Sequence, residues 1–228
     1  MIIDKASIIR ENRKSLKITI TPDAKIIIYS PLKLSFDKIN EIIKTKETLL
    51  NKKLNQVRET NVKNQDLFSY KKVLLLGKEY FIVPTTKVEK VFFSEDMFLV
   101  PKKYFELNKI SFFIRKTLKK LAEKIITQRL YELIEQKNIK YKFTKISYGN
   151  FKSKWGSCDN NGVIKFNWRL VMLESSIIDF VILHEISHLK ELNHSKQFYN
   201  ILTNLYPNWK IERKKLKNLS FLLSLYNN

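Results

Sequence analysis

Residues 177–188 read IIDFVILHEISH. A helix that is apolar almost all round has no face to offer water, so it has to be buried. This segment therefore predicts a central helix, over about residues 177–192, around which the neighbouring chain packs. Ser176-Ile177-Ile178-Asp179 matches a capping box that would open it. The helix carries two of the chain's three histidines into the interior.

Residues four apart lie on one helix face, so His184 and His188 can hold one metal ion together. Glu185 directly follows the first histidine, which gives the HExxH pattern of zinc peptidases with a glutamate as general base. Catalytic zinc takes three protein ligands and leaves a fourth position to water. His194 is the candidate third ligand. It lies just past the helix, where Asn193 is expected to adopt a left-handed conformation and turn the chain back. The bland alternative is two core histidines and one on the surface. A structural zinc site is a further alternative, but it usually has four protein ligands and no use for Glu185.

The remainder reads as an α+β chain. SLKITIT and KIIIYS alternate around a Pro-Asp-Ala turn and predict a hairpin over 15–30. Ile39, Ile42, Ile43, Leu49, Leu50, Leu54 and Val57 predict a helix over 36–58, followed by a polar loop at 61–66. VLLLGKEYFIV predicts a second hairpin around Gly77-Lys78, and VEKVFF with MFLV a third strand pair. Residues 109–137 carry the longest helical pattern. Two strand-like runs in 145–171 flank the turn signal Asp159-Asn160-Asn161-Gly162. A strand-rich N-terminal region with one helix is expected over 1–105, and a second half over 106–228. Along 162–168, Val163, Lys165 and Asn167 alternate with Ile164, Phe166 and Trp168. That strand is expected to be an edge that holds an extended substrate by β-augmentation.

The chain has a formal net charge of +21 and 43 basic residues, of which 36 are lysine and 7 arginine. Such a balance points to DNA or another polyanion as a partner. A lysine-heavy, evenly spread balance also follows from an AT-rich genome. Cys158 is the only cysteine, so no internal disulfide forms, which fits a reducing cytoplasm. No apolar run reaches about 18 residues, so no transmembrane helix is expected. MIIDKASIIRENRK lacks the apolar core of a secretory signal.

Two residue patterns bear on the class of peptidase. The metzincin sequence HExxHxxGxxH fails here, because Glu191 stands where the glycine should be and no methionine follows Met172. By contrast KSKWGSC (152–158), Gly162-Val163-Ile164-Lys165-Phe166-Asn167, ILHEISHLKELNHSKQFYNIL (182–202) and PNWK (207–210) resemble the YgjP-like metallopeptidase family. That group is related to SprT-like and WLM-type proteases. The hairpin SLKITITPDAKIIIYSP and LGKEYFIV also fit its layout. The resemblance implies a zincin-like catalytic half, with His184, His188 and His194 as zinc ligands and Glu185 as catalytic base acting on a protein or peptide substrate. The kinship to proteases of DNA-crosslinked proteins agrees with the basic charge. The rival expectation is a nucleic-acid-binding module with a structural zinc. Tyr199, Tyr206 and Arg169 are candidate donors to an oxyanion. Trp155 and Cys158 are expected to be packing residues.

Overall fold

A computed structural model describes residues 6–21, 23–106 and 109–226; Pro22 of the first expected turn lies outside them. The chain divides into two compact units, residues 1–65 and 66–228.

The first unit is a three-stranded sheet with two helices. Strands β1 (Ala6–Glu11), β2 (Lys17–Ile20) and β3 (Ile26–Pro31) take the order β1-β3-β2. The expected hairpin is the antiparallel pair β2–β3, and β1 adds to β3 in parallel. Ile26 and Ile28 share one face of β3 by the two-residue period. They meet Ile39 and Ile43 of α1 (Phe36–Thr45) and Leu50 and Leu54 of α2 (Glu47–Lys63) in one core. Ser35 caps α1 through the backbone N–H of Lys38. The helix expected over 36–58 is thus two helices. The Thr45 hydroxyl donates to the Ile42 carbonyl at 2.8 Å, and Lys46 leaves helical geometry at φ −108°. A side-chain bond of that kind competes with the helical ladder and bends it. The stretch expected as a loop is helical, because α2 runs to Lys63 and α3 (Gln65–Phe68) follows.

In the second unit β4 (Lys72–Leu75), β5 (Lys78–Thr85), β6 (Phe92–Ser94) and β7 (Met97–Pro101) form a sheet of order β4-β5-β7-β6. The two expected strand pairs are present, and a parallel β5–β7 pair joins them. The β4–β5 turn falls on Leu76-Gly77 rather than Gly77-Lys78, with φ of 51° and 80°. Gly77 needs its missing Cβ twice, for that φ and because a Cβ would stand 2.7 Å from Glu174 Cγ.

Next come α4 (Lys102–Glu106) and α5 (Ile110–Gln136). Ile114, Leu118, Ala122, Ile126, Leu130 and Leu133 form the buried face of α5. A third sheet, β8 (Lys145–Gly149), β9 (Gly156–Cys158) and β10 (Val163–Asn167), has the order β8-β10-β9. A 3-10 segment over Trp168–Met172 leads to α6 (Ser175–Ser187), α7 (Lys196–Leu205) and α8 (Trp209–Asn218). The strands are concentrated in the N-terminal half of this mixed α+β fold, with β1 to β7 preceding residue 102.

The compact units part at residue 65 rather than near 105. Val73, Ile82, Phe98 and Val100 of the second sheet lie in the same core as α5 and α6, so that sheet cannot be separated from the C-terminal helices without exposing both. Helix α6 is the centre the sequence predicts, packed on α5, α7, α8 and β9. Its N-terminus differs from the expected capping box. Glu174 holds the cap position without a capping bond from its side chain. Ser176 donates to Glu212 at 3.2 Å. Asp179 is taken by Arg129 of α5 in a two-pronged pair at 2.7 and 2.8 Å. The tertiary partner outcompetes the local cap.

No helix among the described residues is long and apolar enough to cross a membrane.

Candidate metal centre

Helix α6 ends earlier than its sequence pattern, at Ser187, with His188 as its C-terminal cap. The Ser187 hydroxyl donates to the Leu183 carbonyl at 2.7 Å, and tight turns return the chain through Leu189 and Glu191. Asn193 does not take the expected left-handed conformation; it is absent from the positive-φ residues. Its carbonyl accepts instead from the backbone N–H of Ser195 at 2.7 Å. Ser195 then caps α7 through the N–H of Phe198.

This return brings the three histidines together. One ring nitrogen from each of His184, His188 and His194 lies within 4.8 Å of the others. Nε2 of His184 and Nε2 of His194 are 3.1 Å apart. Nδ1 of His188 is 3.0 Å from the Glu191 carbonyl. A carbonyl can only accept, so Nδ1 carries the proton and the Nε2 lone pair is left for a ligand. Beneath the cluster lies Phe198 of α7, fully buried, with its ring centroid 5.0, 4.5 and 4.7 Å from those of His184, His188 and His194.

Burial sets the protonation of the site. It holds His184 down at about 3, with His188 and His194 adding to the effect, so this imidazole is neutral at pH 7. His188 is lowered for the same first reason. Nδ1 of His184 is buried without a hydrogen-bond partner. Glu185 is 5% exposed. Burial pushes its carboxyl up to about 8, with Lys154 pulling the other way. The carboxylate lies against β9, where Gly156 leaves room for it.

The donor set fits a divalent metal. Three imidazoles converge from one helix and the loop behind it. Two tetrahedral zinc–nitrogen bonds of ordinary length would put the nitrogens roughly 3.3 Å apart, close to the observed His184–His194 separation.

The YgjP-like, metallopeptidase domain family model matches residues 14–219. The chain belongs to the YgjP-like metallopeptidase family. As a YgjP-like protein it is a hydrolytic metalloenzyme, and the family implies a divalent metal. Two solved structures are similar over part of the YgjP-like chain. One is the metallopeptidase zymogen of Pyrococcus abyssi abylysin, at 18% identity and a TM-score of 0.36, covering 40% of this chain and 90% of that one. The other is the metallopeptidase zymogen of Methanocaldococcus jannaschii jannalysin, at 23% identity and a TM-score of 0.34, covering 41% and 93%. No curated protein matches.

The expected substrate strand needs correction. Strand β10 is central, paired in parallel with β8 and antiparallel with β9. Its backbone ladder is occupied on both sides, so Val163, Lys165 and Asn167 cannot bind a substrate strand along it. Asn167 is fully buried. Its amide donates to the Phe151 and Lys154 carbonyls at 2.8 and 3.1 Å, and its oxygen accepts from the Arg169 N–H. Sheet edges fall to β8 and to β9, which packs on α6.

Of the three oxyanion candidates, two are engaged elsewhere. The Arg169 guanidinium donates to the Leu225 carbonyl and to Asn150. Tyr206 donates its hydroxyl to the Ser176 carbonyl at 3.2 Å. Tyr199 remains at the site, its ring 6.2 Å from that of His194 and stacked on Trp209 at 5.0 Å. Its hydroxyl accepts from Arg213 at 3.4 Å. Trp155 packs in the core. Cys158 is a half-buried thiol whose pKa burial raises to about 11, as an inert packing residue requires.

Gly156, expected with Trp155 near a strand edge or under the helix, lies on β9 against Glu185 of α6; sequence reasoning missed Phe198 and Arg213. Phe198 was legible, since Ser195 three residues before it is an N-cap type and the segment FYNIL is apolar. Nothing in the sequence marks Arg213.

Proposed function

We propose that this protein is a zinc-dependent peptidase in which His184, His188 and His194 hold the metal and Glu185 is the general base. The observation that carries the reading is the buried Glu185 carboxyl beside a cluster of three imidazoles, of which burial keeps His184 neutral at pH 7. Zinc, when bound, would act as a Lewis acid that lowers the pKa of water and polarises a carbonyl. A positive charge beside Glu185 favours its ionised form, opposing the effect of burial. The carboxylate takes a proton from the attacking water and returns it to the departing amine. Phe198 closes the floor under the imidazoles and keeps water away from their inner faces. The Tyr199 hydroxyl, held by Arg213, is the donor best placed to meet an oxyanion. An extended peptide would lie along β9, the sheet edge nearest Glu185. The single cysteine favours a reducing compartment such as the cytoplasm.

The test is Glu185→Gln, which keeps size and removes the base. Retained metal with peptide hydrolysis lowered by at least about a hundredfold supports the reading. Unchanged hydrolysis with metal retained contradicts it.

A further inference from the structure

Phe112, Arg115, Lys116 and Lys119 recur at spacings of three and four, so they share one face of α5. With Gly149, Asn150 and Trp168 they bound a hollow of about 310 Å³, the low end of the range for small-ligand sites. It shares no residue with the three-histidine cluster. Its lining carries three cationic side chains and no carboxylate. A fourth cation stands behind it: Arg169 donates to Oδ1 of Asn150 at 2.5 Å and lies 4.1 Å from the centre of the Trp168 ring. Burial first, and the nearby Arg115 second, hold Arg169 down to about 10. The Asn150 oxygen is committed to Arg169, so the amide presents its N–H donors to any ligand. Phe112 is 46% exposed, with the Arg115 guanidinium 5.8 Å from its ring centre. Positive charge, an oriented amide and an open aromatic face thus meet in one concavity.

We propose that this hollow binds single-stranded nucleic acid, with a phosphate held by Arg115, Lys116 and Lys119 and a base stacked on Phe112. A cationic groove with an aromatic platform is the general solution for single strands. A duplex would bring phosphates but no unstacked base for Phe112. The proposal is independent of the peptidase reading, because the site holds whether or not the metal centre cleaves peptides. The overall charge of +21 attracts any polyanion, so the test has to separate this place from the general field.

The experiment is fluorescence anisotropy of a labelled oligothymidylate titrated with the full chain over a range of NaCl. The comparison is Lys116→Glu/Lys119→Glu, Phe112→Ala, and a control pair of the same charge, Lys52→Glu/Lys53→Glu on α2, with thermal melts to establish folding. Lys116→Glu/Lys119→Glu should weaken binding at least about tenfold and reduce the log–log salt slope by about 1.4, the share of two single-strand phosphate contacts. The control pair should change the affinity less than about threefold. Phe112→Ala should weaken binding about tenfold at high salt, where stacking outlasts screened charge. Equal losses for the two lysine pairs would overturn the proposal in favour of a diffuse field. An unchanged Phe112→Ala affinity would overturn it in favour of a site for phosphate alone.

Discussion

A Cβ placed on Gly156 would stand 2.6 Å from Oε1 of Glu185 and 2.8 Å from its Cγ. The strand beside α6 is therefore without a side chain where the proposed base needs the space. Gly156→Ala should push the carboxylate aside without touching a histidine. Misplacing a reacting group by about 1 Å can cost roughly a hundredfold in rate. We expect a loss of that order in kcat with metal content unchanged, checked by steady-state kinetics beside metal analysis. Full activity would mean that the carboxylate is free to shift without consequence.

Phe198 touches all three imidazole rings and is fully buried. Phe198→Ala should cost about 3–5 kcal/mol of stability, the usual range for emptying such a position, and should also weaken metal binding. Phe198→Leu should restore most of the stability and less of the affinity, because the aliphatic chain fills volume without bracing three rings. Urea denaturation of the metal-free protein and a competition titration with a chelator separate the two effects.

Arg129 reaches Asp179 through two hydrogen bonds at 2.7 and 2.8 Å, tying α5 to the helix that carries His184 and His188. The Asp179 side chain is only 14% exposed, against 31% for Arg129. Charge-assisted bonds of this kind contribute about 1.5–3 kcal/mol. Asp179→Asn should lower stability by about that amount. High salt should not abolish the difference, since a largely buried pair is poorly screened.

Asn167 distinguishes a structural role from a substrate-binding one. Its amide pins the Phe151 and Lys154 carbonyls, and Gly156 follows two residues after Lys154. Asn167→Ala leaves buried partners unsatisfied and should cost about 1–3 kcal/mol. Its kinetic effect should fall on kcat, through the position of Gly156 and Glu185, with KM little changed. Lys165, exposed on the central strand, should tolerate Lys165→Ala with no change in either constant.

Much of this arrangement was readable from local pattern. Helices α5 and α6 announce themselves through apolar spacing, the hairpin β2–β3 through alternation around a turn, and β4–β5 through two apolar runs around Gly77. HEISH pointed to the histidine cluster because helical spacing fixes His184 and His188 one turn apart whatever surrounds them. What depended on distant partners was not readable. Parallel pairing of β8 with β10 is set by chain folding, and it turned an apparent edge strand into a central one. Asp179 has the spacing of a capping box but meets Arg129, fifty residues away in sequence. The unit boundary fell at residue 65 because β4–β7 contribute to the same core as α5 and α6, which no composition shift signals.

Whether the three histidines hold zinc is decided by the metal content of protein purified without a histidine tag, beside His194→Ala. The parent should carry about one zinc per chain. In the variant zinc should be lost or much more weakly held, with the fold intact by circular dichroism. Protein that stays metal-free in excess zinc, or a His194→Ala variant that holds zinc as tightly as the parent, would contradict it.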